Sequence, residues 1–153
     1  MQNESPRPGP GRIEAMWLKR VHRGPMDPVT EARAVPGRGL DGNADNSPTR
    51  QVTLIEREIW ETLMREVGSE ADPSSRRANV MVSGLSLAET RGRVLRIGSV
   101  RLEIAGETRP CEQMDAVTGG LQKSMAIPWR GGAFARVLDE GIIRVGDTVG
   151  WEG

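Results

Sequence analysis

The chain of 153 residues has one cysteine and one histidine, and the cysteine is the better placed for chemistry. Cys111 stands in GETRPCEQMD (106–115), directly after Pro110 and between Arg109 and Glu112. Proline has no N–H to give to a strand ladder, so the run VRLEIA before it must end there. Glu112, Gln113 and Asp115 are polar and open a possible short helix over 112–118. A thiol at a strand end and helix start, beside a guanidinium, is favoured as thiolate, the form that attacks sulfur and binds soft metals. The other habit of a free cysteine is to fill a core as a small hydrophobe. The residues around Cys111 leave both readings open.

Other chemical patterns fail on their own terms. GRGLDG (37–42) has dinucleotide-loop spacing, but NADNSPTR follows where a helix must open under the pyrophosphate. DGNADNS (41–47) begins like a calcium loop, yet Asn46 takes the glycine position and Val52 the place of the bidentate glutamate. His22 alone cannot assemble a His/Cys zinc site, and no Gly-x-Ser-x-Gly elbow accompanies it. Arginine outnumbers lysine 19 to 2. A coding bias that also enriches Ala and Gly explains that count; so does a use for forks that grip phosphate or carboxylate bidentately.

With 21 basic and 21 acidic residues the chain lacks the basic excess of a general nucleic-acid or membrane-surface binder. One cysteine makes no internal disulfide. The start, MQNESPRPGPGR, has no apolar signal core, and nowhere is there an apolar run of about 18 residues. These features point to a soluble, cytoplasmic protein.

The elements that must position Cys111 read as mainly β. Residues 1–11 form a flexible lead-in and 12–153 a single domain. RIEAMWLKRV (12–21) alternates as a strand, with Ile13, Ala15, Trp17 and Lys19 on one face and Met16 and Leu18 on the other. PVTEARAV (28–35) is a second strand, followed by a Gly/Pro/Asn loop over 36–49. The best-marked element is an amphipathic helix over about 54–67, after a short strand at 50–53. Thr53 and Glu56 have capping-box spacing, Ile55, Ile59 and Leu63 form its stripe, and Gly68 ends it. Then come NVMVSG, RVLRI, VRLEIAG, AFARVL, GIIRV and DTVGW, with hairpin turns at Gly98-Ser99 and Gly146-Asp147. Seven or eight short strands, one good helix and dense turns indicate a β-barrel-like domain with short peripheral helices.

In order and spacing these pieces resemble the MOSC domain, named after the C-terminal domain of molybdenum cofactor sulfurase. The resemblance runs from about residue 12 to 150 and rests on several pieces. They are Arg-Gln-Val at 50–52, Arg-x-Asn at 77–79, Pro-Cys at 110–111 and the closing WRGG and GIIRVGD segments. One departure stands out: many members carry Gly-Asp, often with a His close behind, where this chain has Gly42-Asn43-Ala44-Asp45. Asp45 is the available substitute for that carboxylate.

The resemblance implies a small stand-alone MOSC protein with a β-barrel fold. Its cysteine, Cys111, would carry sulfur as a persulfide or bind molybdenum of the molybdenum cofactor (molybdopterin). The phosphate of that cofactor invites arginine forks, which makes Arg50, Arg77, Asn79 and Arg130 the candidates to hold it. Pyridoxal phosphate would serve only in a partner sulfurase domain. The implied partners are a cysteine-desulfurase-like sulfur donor, a molybdoenzyme or an electron-transfer protein, with neither nucleic acid nor membrane. Two further readings go with the resemblance. One is a molybdenum-dependent reductase of N-hydroxylated compounds; the other is a non-catalytic interaction module that keeps the fold.

Overall fold

The computed structural model describes residues 10–153 of the chain. The lead-in expected over 1–11 lies outside them except for Pro10 and Gly11, and Gly11 already opens the first strand.

Seven strands close into a barrel. Around it run β1 (Gly11–Lys19), β11 (Thr148–Trp151), β7 (Val94–Ile97), β8 (Val100–Glu107), β9 (Ala133–Val137), β5 (Val52–Glu56) and β6 (Val80–Ser83), which returns to β1. Every neighbouring pair is antiparallel except β5 and β6. β2 (Met26–Val29) prolongs the sheet beyond β1, while β3 (Glu31–Val35), β4 (Gly39–Leu40) and β10 (Gly141–Arg144) form a separate small sheet. Alternation drives closure. On β8 the side chains of Val100, Leu102 and Ile104 are all within 1% of full burial, while the residues between them face outward.

Three sequence expectations are corrected here. The alternation expected along the first strand slips, because the pairing of β1 with β6 shifts between Ile13 and Ala15. That bulge inserts one residue, so Ile13 joins Met16 and Leu18 inside the barrel. Ala15 and Trp17 pack outside it, against Ile55, Ala78 and Met81. The run expected as one strand over 28–35 is two, broken at Thr30, and they serve different sheets. Gly146-Asp147 turns the chain but closes no hairpin, since β10 pairs with β3 and β11 with β7 and β1. A turn sequence sets local direction and does not choose the strand's partner.

The helix α1 (Arg57–Val67) also starts later than its pattern suggests. β5 continues through Glu56, so Ile55 is a strand residue and no side chain caps the helix. Thr53 is not a cap either; its hydroxyl and N–H bond to Asn79. Gly68 does end the helix, with φ of 68°, a conformation that glycine adopts without a Cβ penalty. Two further helices, α2 (Gln113–Val117) and α3 (Leu121–Met125), cover α1. Trp60, Leu63 and Met64 of α1 meet Met114, Leu121 and Met125 in a second apolar cluster apart from the barrel core. The stripe of α1 therefore faces the Cys111-bearing segment.

At the β5–α1 junction, the Glu56 carboxylate accepts the Leu87 N–H at 3.0 Å. Burial raises its pKa to about 7, the Leu87 bond opposes the rise and Glu58 adds to it. A carboxyl raised above its unfolded value of about 4.3 favours the folded state fully below that value. That advantage is lost as pH rises through 7. Stability should therefore fall between pH 5 and pH 8, and Glu56→Gln should recover about 1–3 kcal/mol at pH 8 and little at pH 4. Urea melts at the three pH values check it; equal gains at pH 4 and pH 8 would refute the titration.

Candidate functional site

Four segments converge where the barrel meets the α2–α3 cover. The first is the turn before β5, which carries Arg50. The second is a one-turn 3-10 helix, Pro73–Arg76, begun by Pro73 after Asp72, whose carboxylate accepts the Ser74 N–H. The third is Thr108–Cys111, where Pro110 ends the chain's run out of β8. The fourth is Gly131-Gly132 ahead of β9. The two glycines are needed for this approach. A Cβ on Gly131 would lie 1.9 Å from the Thr108 carbonyl oxygen, and one on Gly132 would lie 2.1 Å from that of Leu54.

Between these segments lies a compartment of about 200 Å³ bordered by Cys111, Arg50, Arg76, Arg77, Thr108 and Gln113, among others. Cys111 is exposed and just precedes α2, its carbonyl accepting the Met114 N–H at 3.0 Å. A neighbouring polar compartment of about 410 Å³ shares Arg50, Thr53 and Arg77 with it. Asn79, Lys19, His22, Asn43 and Asp45 complete most of that second wall.

Arg76 is the residue that sequence reasoning missed. Its Nε donates to Gly131 O at 3.2 Å, and Nη2 donates to Arg109 O at 3.4 Å and Thr108 O at 3.5 Å. It thereby ties the Cys111 segment to the glycine turn. Burial lowers its pKa, negative charge on Cys111 works the other way, and Arg50 adds to the lowering. The signal available in the sequence was the doubled Arg76-Arg77 after a proline-opened turn. Nothing in it said that the first of the pair turns inward.

Arg77 has φ of 65° and closes the 3-10 helix, donating through Nη2 to Gly24 O. Arg77 and Asn79 both precede β6, which begins only at Val80. Both line the polar compartment, and Arg77 lines the Cys111 compartment too. Arg50 lies over the Phe134 ring at 4.9 Å from its centroid. Among the described residues, none of Arg50, Arg76 and Arg77 has a carboxylate within ion-pair distance.

Asn79, 4% exposed, is spent on the protein. Its Oδ1 accepts from Thr53 N and Oγ1, and its Nδ2 donates to Trp17 O and Asn43 Oδ1. Asn79→Ala strands these groups and should cost about 1–3 kcal/mol, read from chemical melts. A melt indistinguishable from wild type would show that water replaces the amide. Arg130 also has other partners: its Nη1 donates to Glu66 Oε1 at 2.7 Å and Ser124 O at 3.2 Å. It lines neither compartment.

The 41–47 loop enters the site through two residues. Asn43 Oδ1 accepts from Lys19 N at 2.8 Å as well as from Asn79, which pins the loop to β1. Asp45 Oδ2 lies 2.7 Å from Lys19 Nζ and 2.8 Å from His22 Nδ1. Hydrogen bonds from Lys19 first and His22 second hold its pKa below the ordinary carboxylate value. Among the described residues Asp45 is the only carboxylate bordering the polar compartment, against Lys19, Arg50 and Arg77. The combined cleft is cationic and holds one thiol. No group of three or more His, Cys, Asp or Glu able to hold a metal ion occurs among the described residues. No helix among them is long and apolar enough to cross a membrane.

The sequence model of the MOSC domain matches residues 20–150. The YUAD protein from Bacillus subtilis superposes with a TM-score of 0.77 at 18% identity, covering 92% of this chain and 94% of that one. YiiM from Escherichia coli gives 0.69 at 17% identity, covering 93% and 70%. YiiM from Geobacillus stearothermophilus gives 0.73 at 16% identity, covering 94% and 76%. At these identities the likeness is one of fold. Among curated proteins no sequence matches significantly.

Proposed function

Because the chain belongs to the MOSC domain family, we propose that its cleft serves sulfur and molybdenum-cofactor chemistry, with Cys111 as the working atom. The observation that supports this reading is an exposed thiol in a compartment with three guanidinium groups and no bordering carboxylate. In the sulfur-carrying role, the Cys111 thiolate attacks the outer sulfur of a donor persulfide. A bond forms between Sγ and that sulfur, the donor's S–S bond breaks, and the donor sulfur leaves as thiolate. The guanidinium groups of Arg50, Arg76 and Arg77 border the space in which this anionic transfer takes place.

The residues also fit the molybdenum cofactor. A thiolate is a soft ligand suited to such a metal. Arg50 and Arg77, with Lys19 beside them, offer a phosphate group more donors than the protein uses. Thr108 Oγ1, buried in the wall of the Cys111 compartment, has no partner among the described residues. When bound, the cofactor supplies a redox-active metal centre. Asn79 shapes the wall with its amide fully engaged, while Arg130 ties the α3 end to α1 and lines neither compartment.

The test is to purify the chain from a molybdenum-replete host and measure molybdenum, pterin and Cys111 persulfide together. The persulfide is measured before and after incubation with a cysteine desulfurase and cysteine. Sulfur on Cys111, or molybdenum and pterin in proportion to protein, supports the reading. Reduction of an N-hydroxylated compound by the molybdenum-loaded chain with an electron donor would move the role to reductase. A chain that takes up neither sulfur nor cofactor would be an interaction module.

A further inference from the structure

We infer that the Cys111 compartment takes its sulfur directly from a small oxyanion carrying a transferable sulfane sulfur, of the thiosulfate class. This inference rests on the sulfur-carrying reading above and adds the chemical class of the donor.

Size comes first. At about 200 Å³ the compartment is smaller than the roughly 300–1,000 Å³ of sites for drug-sized ligands. It suits an ion of a few heavy atoms, and the larger cofactor group would need the adjoining 410 Å³ space.

Charge comes second. Arg50, Arg76 and Arg77 border the compartment, and among the described residues no Asp or Glu does. Among the described residues, Asp45 of the adjoining compartment is bonded to Lys19 and His22, and the carboxylates of the neighbouring segments lie outside the lining. Glu107 accepts the Trp129 N–H at 2.8 Å and lies 3.8 Å from Arg109, Asp115 accepts the Gln122 N–H, and Glu112 is exposed outside the lining. Three guanidinium charges on a wall with no described carboxylate suit a dianion.

Hydrogen-bonding capacity comes third. A guanidinium has five N–H donors in a planar fork matched to oxyanions. Among the described residues Arg50 gives none of its side-chain donors to the protein, and Arg77 gives one, to Gly24 O. Arg76 uses Nε and Nη2 on carbonyls and leaves Nη1 with only a long contact to Met114 Sδ at 3.9 Å. Donors thus remain on all three arginines, around the one nucleophile of the wall.

The step balances without a further reagent. The Cys111 thiol gives its proton to solvent, and the thiolate attacks the outer sulfur of thiosulfate. The new S–S bond makes a cysteine persulfide, the S–S bond of thiosulfate breaks, and its electron pair leaves on sulfite.

The experiment incubates the full chain with sodium thiosulfate and reads sulfite release together with the gain of one sulfur atom on Cys111 by intact mass. Stoichiometric loading is expected, with sulfate, which has the oxyanion shape but no transferable sulfur, competing. Arg76→Gln should raise the half-saturating thiosulfate concentration by about tenfold or more, the scale of a lost charged hydrogen bond. Arg76 also braces the Cys111 segment, so exposed Arg50→Gln is the second variant and should show a rise of the same order. Loading by thiosulfate that ignores both substitutions and sulfate overturns the inference. No loading by thiosulfate in a chain that a cysteine desulfurase does load overturns it too, while the sulfur-carrying reading stands. No loading from either donor overturns both.

Discussion

Cys111→Ser is expected to fold as the wild type does and to lose sulfur loading and molybdenum retention entirely. The side chain is exposed, and the segment is held by groups that serine leaves intact. These are the Cys111 carbonyl bonded to Met114 N, and the Thr108 and Arg109 carbonyls bonded to Arg76. Exposed changes of this kind alter stability by about 0.5 kcal/mol or less. The chemistry changes far more, because a hydroxyl stays protonated near neutral pH and is neither a sulfur nucleophile nor a soft ligand. Thermal melts beside persulfide and molybdenum assays decide the matter. A collapsed melt with cofactor content unchanged would make Cys111 a packing residue.

Leu63→Ala should cost about 2–5 kcal/mol, the range for large-to-small changes in a well-packed core. Leu63 is 1% exposed and sits among Trp60, Met64, Met114, Leu121 and Met125. This cluster is separate from the barrel core, so the loss should be felt first in α2 and α3. Met114 lies three residues from Cys111, and loosening it frees the segment that carries the sulfur. Hydrogen exchange in the variant should therefore rise more over 111–126 than in β7, β8 and β9. Uniform acceleration through the barrel strands would show that the two cores unfold as one.

Much of this molecule was legible in its residues because the governing physics is local. Alternation of apolar side chains marked β7, β8 and β9, and the apolar run Val80-Met81-Val82 marked β6, since a strand's faces follow from its own period of two. Gly68 marked the helix end because a left-handed residue is cheapest as glycine. Pro110 bounded β8, which ends three residues before it at Glu107, because proline has no N–H to give. Cys111 could be singled out by composition and punctuation alone, and the order of the motifs indicated the MOSC fold.

What the sequence left undecided depended on partners far along the chain. Thr53 and Glu56 have the spacing of a helix cap, yet Thr53 is held in β5 by Asn79, 26 residues away. Gly146-Asp147 makes a turn, but the strands on either side pair with other strands. Arg130 matched the family pattern, and a nearby Glu66 took its charge. Arg76 looked like any arginine of a basic pair until the Thr108, Arg109 and Gly131 carbonyls drew it inward. Composition and local pattern thus determined a β-barrel with one conspicuous thiol. Only barrel closure decided which arginines stand beside that thiol, because it brings residues 50, 76, 77 and 111 to one wall through pairings that no local period encodes.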